Sequence, residues 1–210
     1  MILVPIFPLQ IVVYPFEELN LNIFEPRYRQ LVTDCMEDDL PFGIPYFREG
    51  LPLQYGSLVK IREISKTHSD GKMDIKTIGI RPFELKRYRS TYPKKLYPGG
   101  YVKELYWEED GDDDSRLKIR NLLKELYRFM NINKVPQALN KAFITFEIAH
   151  KVAFNKEQEY DFLKIISETE RQKYMIAHLV RMMPIIREAE EMRKKIQLNG
   201  HFKHIIPPTI

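Results

Sequence analysis

The sequence predicts an α+β protein in which a β subdomain precedes a helical subdomain, and three observations support this. Short apolar or alternating segments recur at close spacing up to residue 107, which is typical of a small barrel or sandwich. An acidic run at 108–114 then interrupts the composition. After Ser115 the apolar residues recur at helical spacing instead. We therefore predict a β subdomain at 1–110 and a helical subdomain at 111–210.

Strands in the first subdomain are predicted from apolar runs and turn signals. Asp70-Gly71 predicts a hairpin turn between strands at 56–64 and 73–80. Pro82 is expected to end the second strand or to place it at a sheet edge, because proline has no N–H to donate. The other predicted strands are 2–7, 10–14 and 101–107.

One short helix, at about 26–36, is predicted inside the β region. Pro26 suits the first helical position, where an N–H would lack a partner anyway. Cys35 lies on the apolar face, so a packing cysteine is favoured over a nucleophile. The face that we expect to pack on the β core consists of Tyr28, Leu31, Val32, Cys35 and Met36.

Helix signals dominate the second subdomain. An amphipathic stripe follows Ser115, and a helix is predicted over about 139–152. Capping boxes are predicted at Asn155 with Gln158 and at Ser167 with Glu170. The second box opens a long helix to about Leu198, in which Pro184 is expected to cause a kink or a split. The tail at 201–210 is expected to be extended.

Motifs for catalysis or cofactor binding are not found in the sequence. It has neither a G-x-G-x-x-G pattern nor a phosphate-binding loop. His201 and His204 are the only closely spaced histidines, and two ligands make a weak metal site. We therefore expect a protein that is not an enzyme and that needs no cofactor. The single Cys35 and the absence of an apolar run of about 20 residues favour a cytoplasmic protein without membrane contact.

The charge distribution is uneven along the chain. Residues 1–114 carry 15 Lys and Arg against 19 Asp and Glu, whereas residues 115–210 carry 18 against 10. A solvated helical surface explains the basic second half better than a nucleic-acid-binding face does.

A family resemblance emerges from motifs that occur in order along residues 3–107. The pattern P-x-F-P-L spans Pro5 to Leu9, and L-x-L-x-I-F-E-P-R-Y-R-x-L-V spans Leu19 to Val32. Gly79-Ile80-Arg81-Pro82-Phe83 follows. The sequence thus resembles the N-terminal, substrate-binding domain of Lon proteases. The resemblance implies a PUA-like β pseudo-barrel followed by a helical bundle that ends in a long helix. It also implies structural roles for Phe24, Glu25, Pro26, Arg27, Tyr28 and Phe83.

The resemblance implies polypeptide recognition by a free-standing domain, without the ATPase and protease domains of Lon. Unfolded or tagged substrate proteins, a partner protease or a chaperone are the expected partners, with a role as an adaptor in proteolysis or quality control. Assembly into a homo-dimer is also considered. Two apolar segments in expected loops are candidates for peptide binding, unless they pack on the helices. Their residues are Tyr46, Phe47, Leu51, Leu53, Tyr92, Leu96 and Tyr97.

RNA binding by a PUA-like protein is the alternative function. It would use the segment 86–107, where six aromatic residues alternate with Lys and Arg. A half-buried pair of strands with solvated basic side chains would produce the same pattern.

Overall fold

A computed structural model describes residues 1–132, 139 and 142–201, with side chains up to residue 196. The class is α+β: a six-stranded antiparallel sheet is combined with helices and a long C-terminal helix. The strands are β1 (Ile2–Pro5), β2 (Glu18–Ile23), β3 (Phe42–Arg48), β4 (Leu51–Thr67), β5 (Met73–Arg89) and β6 (Gly99–Glu104). The helices are α1 (Pro26–Glu37), α2 (Asp113–Phe129), a 3-10 helix (Thr145–Lys151), α3 (Lys156–Leu163) and α4 (Glu168–His201).

The strand order is β1-β6-β5-β4-β3, and β2 pairs with the first half of β5. The chain after β1 closes this sheet against β3. Ile6 forms a parallel bridge with Gly43, and Leu9 forms one with Tyr46. The amide of Phe7 also donates to the carbonyl of Gly43 over 2.9 Å. The sheet is therefore joined at its two ends, which leaves few unpaired strand edges.

The hairpin between β4 and β5 confirms the turn predicted at Asp70-Gly71. Gly71 has a φ of 80°, a left-handed conformation that glycine adopts without steric cost. The amide of Gly71 donates to the carbonyl of His68 over 2.9 Å, and the amide of His68 donates to the carbonyl of Lys72 over 2.8 Å. These bonds place the turn where two alternating segments can pair in register.

The expectation that Pro82 ends or edges its strand is wrong. β5 continues to Arg89 and lies between β4 and β6. A register shift between Leu58 and Val59 skips Ile80, so a β-bulge precedes the proline. Bulges are one of the few places where a sheet tolerates a residue without an N–H. The carbonyl of Pro82 still accepts a bond, from the amide of Leu105 over 2.9 Å.

Two strands, β2 and β3, were not predicted, and one predicted strand is absent. The run at 10–14 is a loop whose side chains are mostly buried. Its carbonyl at Val13 accepts a hydrogen bond from the Ser57 hydroxyl instead of from a strand partner. A buried loop and a buried strand can have the same apolar pattern, which explains why residues 10–14 were predicted to be a strand. The predicted strand 101–107 is realised as Gly99–Glu104.

Helix α1 confirms the prediction for residues 26–36. Pro26 occupies its first turn, and its buried residues are Tyr28, Leu31, Val32 and Cys35. Met36, predicted on the same packing face, is 42% exposed, so this part of the prediction is wrong. The buried face joins one apolar core with Val59, Ile61 and Ile75 from the sheet. A smaller core contains Val4, Ile6, Leu58, Phe83 and Val102.

The later helices follow their capping signals. Asp112 caps α2, and its carboxylate accepts from the amide of Ser115 over 2.7 Å. The Asn155 and Gln158 capping box is present, and the hydroxyl of Ser167 accepts from the amide of Glu170 over 3.1 Å. An α-helix was predicted over about 139–152. Residues 142–152 instead contain the 3-10 helix Thr145–Lys151.

Helix α4 is continuous through Pro184, so of the predicted kink or split the split is absent, while the kink stays a prediction. The tail beyond residue 201 lies outside the described residues. None of the helices in the described part of the chain has an apolar stretch that could span a membrane.

Contact density divides the protein into two units. The first comprises residues 1–110 and 144–171, and the second comprises the described residues of 111–143 and 172–201. The structure thus differs from the predicted division at one place, because residues 144–171 pack with the sheet. The Tyr14 hydroxyl donates to the carbonyl of Glu159 over 2.9 Å, and the Tyr160 hydroxyl accepts from the amide of Tyr55 over 3.1 Å.

Candidate functional site

The first predicted binding segment forms the tip of the β3–β4 hairpin rather than a free loop. Glu49 and Gly50 connect the strands with φ values of 53° and 81°, which is typical of a two-residue turn in a twisted hairpin. Leu51 follows the turn and is 69% exposed. Phe47 and Leu53 are half-buried on the neighbouring strand positions.

Tyr46 anchors this hairpin from below its tip and is buried. Its ring lies 5.6 Å from the ring of Tyr160 in α3. Arg48 and Glu157 form an exposed ion pair between the hairpin and the same helix. Tyr46 is 8% exposed, so it contributes more to anchoring the tip than to the accessible apolar surface.

The second predicted segment, around Tyr92–Tyr97, packs on α1. Tyr97 is 2% exposed, and its hydroxyl donates to the carboxylate of Asp34 over 2.7 Å. Burial, together with this carboxylate, raises the pKa of Tyr97, so the hydroxyl keeps its proton. Tyr92 is half-buried against the Tyr97 ring, whereas Leu96 is 63% exposed. The two segments contact different helices, and each leaves one leucine side chain exposed.

Part of the basic-aromatic segment 86–107 takes part in contacts within the chain. Lys95 pairs with Asp34, and Lys86 pairs with Glu84. The Arg81 guanidinium lies 4.1 Å above the ring of Tyr106 and also pairs with Glu104. These contacts engage Lys86, Lys95 and one face of the Tyr106 ring, whereas Tyr106 as a whole is 65% exposed. RNA binding through exposed rings and cations of this segment stays a prediction.

The residues for which structural roles are predicted differ in their contacts within the chain. Arg27 pairs with Glu25 at 2.7 Å, and its guanidinium lies 4.6 Å above the ring of Tyr28. Phe83 is fully buried in the smaller core. Phe24 is exposed in contrast, because it follows the buried Ile23 and alternate residues of a strand face opposite sides.

Cys35 is a buried packing residue, as predicted. Burial raises the pKa of its thiol to about 12, so the reactive thiolate is disfavoured. Within the described ranges, no group of three His, Cys, Asp or Glu side chains could hold a metal ion. The predicted His201 and His204 pair falls outside the residues whose side chains are described.

An exposed aromatic pair, Phe16 with Trp107, was not identified from the sequence. Phe16 is 50% exposed, and its ring meets the ring of Trp107 edge-on at 5.7 Å. Trp107 in turn meets the buried ring of Phe146 at 6.0 Å. The two residues are 91 positions apart in sequence, so no local pattern connects them.

Two comparisons with known proteins bear on this arrangement. Residues 3–187 match the family described as the ATP-dependent protease La (LON) substrate-binding domain. The Lon N-terminal domain protein from Xanthomonas campestris is similar in structure, with a TM-score of 0.65 at 27% identity, over 84% of this chain and 98% of that chain. The N-terminal domain of the Mycobacterium avium complex Lon protease shares the fold at 14% identity, with a TM-score of 0.60 over 85% and 98%.

Proposed function

The chain belongs to the family of Lon substrate-binding domains, and from this membership we propose that it recognises unfolded or tagged polypeptides. The family is that of the substrate-binding part of the protease and not of its catalytic parts. Recognition without catalysis requires apolar groups that solvent can reach, held on a rigid scaffold.

The observation that carries the proposal is the exposed Leu51 at the tip of an anchored hairpin. The hairpin is held at its base by the contact between Tyr46 and Tyr160. A fixed arm loses little conformational entropy when its tip binds an apolar segment. Phe47 and Leu53 extend the apolar surface on the two strands.

Leu96 provides a second apolar contact point. Its amide donates to the side chain of Gln30 over 2.9 Å, which fixes the backbone of the loop while the leucine side chain stays exposed. Tyr92 lies beside it, half-buried. Separate contact points suit an unfolded chain, which can reach several places at once.

The finer role that we propose is that of a cytoplasmic adaptor. It would hold a client polypeptide for a partner protease or chaperone, either as a monomer or as a homo-dimer. The buried thiol of Cys35 agrees with a reducing compartment.

Titration with a permanently unfolded model protein tests the proposal. We expect binding by fluorescence anisotropy at micromolar concentrations, with little binding of the same model protein in its native form. The double variant Leu51→Ser with Leu96→Ser should bind about tenfold more weakly, because apolar anchors dominate such interfaces.

The matched control is Leu117→Ser, which alters an exposed leucine of α2. It should bind as the wild type does. Absence of binding to the unfolded protein at high micromolar concentration would contradict the proposed function.

A further inference from the structure

Phe16 occupies a backbone position that disfavours it. Tyr14-Pro15-Phe16-Glu17 forms a tight turn, in which the amide of Glu17 donates to the carbonyl of Tyr14 over 3.2 Å. Proline at the second position and a positive φ at the third are features of a type II turn. The φ of Phe16 is 68°, where glycine or asparagine is the preferred residue. Turn geometry therefore does not explain a phenylalanine here.

Core packing does not explain this phenylalanine either. Phe16 is 50% exposed, and its ring forms a T-shaped contact with the ring of Trp107. Trp107 is itself only half-buried and rests on Phe146. The pair thus presents an aromatic surface to solvent, and the buried ring of Phe146 supports Trp107 from inside.

Carboxylates flank this aromatic pair on both chain segments. Glu17 and Glu18 follow Phe16, and Glu108 and Glu109 follow Trp107. Glu17 bonds to His150. Glu18, Glu108 and Glu109 are exposed. No ion pair within the described part of the chain engages Glu108 or Glu109, whereas the charge of Glu18 helps to raise the pKa of Lys76.

The aromatic rings and carboxylates of this surface indicate which side chains a ligand should carry. Exposed rings accept apolar side chains and also attract cations at their faces. Exposed carboxylates adjacent to them in the chain attract Lys and Arg and disfavour acidic segments. The neighbouring pair of Arg81 over Tyr106 is an instance of such stacking within the chain itself.

We propose that Phe16 and Trp107 form an anchor site for polypeptide segments in which aromatic or aliphatic residues alternate with Lys or Arg. The rings contact the apolar side chains, and Glu18, Glu108 and Glu109 contact the basic ones. This inference rests on the proposed function, because it names the class of client segment that the domain selects.

Trp107 provides a direct probe, because it is the only tryptophan in the chain. A dye-labelled 12-residue peptide of alternating Phe and Lys is titrated into the full chain while tryptophan emission and peptide anisotropy are both followed. Matched peptides replace every Lys by Glu, or every Phe by Ala. We expect the Phe-Lys peptide alone to change both signals, with binding that weakens as salt is raised.

The variants Phe16→Gly and Phe16→Asn test the anchor without disturbing the turn, since both residues tolerate a positive φ. Each should bind the Phe-Lys peptide about tenfold more weakly, as expected for a central aromatic anchor. The triple variant Glu18→Gln, Glu108→Gln, Glu109→Gln should lose most of the salt dependence. Phe24→Ala and Glu37→Gln are the matched controls, since they change an exposed aromatic and an exposed acidic residue elsewhere.

The outcomes separate this inference from the proposed function. Anisotropy without a change in Trp107 emission, unaltered binding by both Phe16 variants, or equal binding of the Phe-Glu peptide would each overturn the anchor site. So would the absence of Phe-Lys binding at high micromolar concentration. The titration with the unfolded model protein reports on the proposed function independently, and its success alongside any of these results would leave that function standing.

Discussion

Arg171 is fully buried, and its polar groups are met by partners within the first unit. Its guanidinium pairs with the equally buried Glu168 at 2.7 Å, while Thr145 bonds to both side chains. A buried ion pair is tolerated only when such bonds replace the lost water. The remaining partners are the carbonyls of Ile165 and Ile166 and the ring of Phe146.

Replacement of Arg171 by Met should lower the free energy of unfolding by about 3 to 5 kcal/mol, because Glu168 would stay buried without its partner. Urea unfolding measures this. The double variant with Glu168→Gln should recover part of the loss, whereas Lys76→Met, which breaks an exposed pair with Glu63, should change stability by about 1 kcal/mol or less. A similar small effect for Arg171→Met would contradict the structural role.

His150 lies between two carboxylates. Burial disfavours its charged form, but Glu17 and Glu159, each 3.1 Å from a ring nitrogen, together outweigh burial and raise the pKa of His150. A pKa raised by folding means that the charged imidazole stabilises the folded state. That contribution is complete below the unfolded pKa of about 6.5 and disappears as the pH rises through the folded pKa.

The variant His150→Gln should therefore lose more stability relative to the wild type at pH 6 than at pH 9. Urea unfolding at the two pH values gives the comparison. Glu17→Gln should reduce the pH dependence, because it removes one carboxylate that favours the charged ring. An equal loss at both pH values in His150→Gln would show that the imidazole acts by packing alone.

At the scale of elements, the Tyr14–Glu17 turn and β5 meet at Gly79. The amide of Gly79 donates to the carbonyl of Glu17, and its carbonyl accepts from the amide of Phe16, both at 2.9 Å. A Cβ at Gly79 would lie 2.0 Å from the carbonyl oxygen of Tyr14. The sheet thus needs a glycine here to hold the turn that presents Phe16.

Gly79→Ala should cost about 2 to 3 kcal/mol, since backbone atoms rather than a flexible side chain would have to move. Gly50→Ala is the control, because a Cβ there meets nothing within 4 Å and only the positive φ opposes it, at about 1 to 2 kcal/mol. Thermal unfolding compares the two, and Trp107 emission should shift only in Gly79→Ala. A smaller cost at Gly79 than at Gly50 would contradict the close approach.

Elements with strong local signals were predictable, and those defined by distant partners were not. Pro26 and the apolar spacing behind it located α1, and the capping residues located α3 and the start of α4. β3 was missed because its apolar residues read as a loop before the Glu49-Gly50 turn. β5 passes through Pro82 because a bulge at Ile80, within β5 itself, precedes the proline. That bulge depends on the pairing with β4, so no local sequence pattern predicts it.

At the scale of the whole molecule, the order of segments along the chain differs from the way in which they pack together. Residues 144–171 follow α2 in sequence but belong to the same unit as the sheet. Tyr14, Phe146 and Phe162 bring together aromatic rings from the N-terminal loop and from this later segment. The composition break at 108–114 indicated a boundary between two parts of the chain. It did not indicate that residues 144–171 would pack with the first part again.

The sequence by itself determined the α+β class, helix α1, the Asp70-Gly71 hairpin, the capped helices and the family, because caps, turns and periodicity act between residues close in the chain. Only the tertiary structure decided which aromatic residues are exposed. It buried Tyr46 and Tyr97, left Leu51 and Leu96 in solvent, and brought Phe16 to Trp107. The exposure of a side chain depends on which distant segments of the chain pack against it. A single sequence does not show which segments those are.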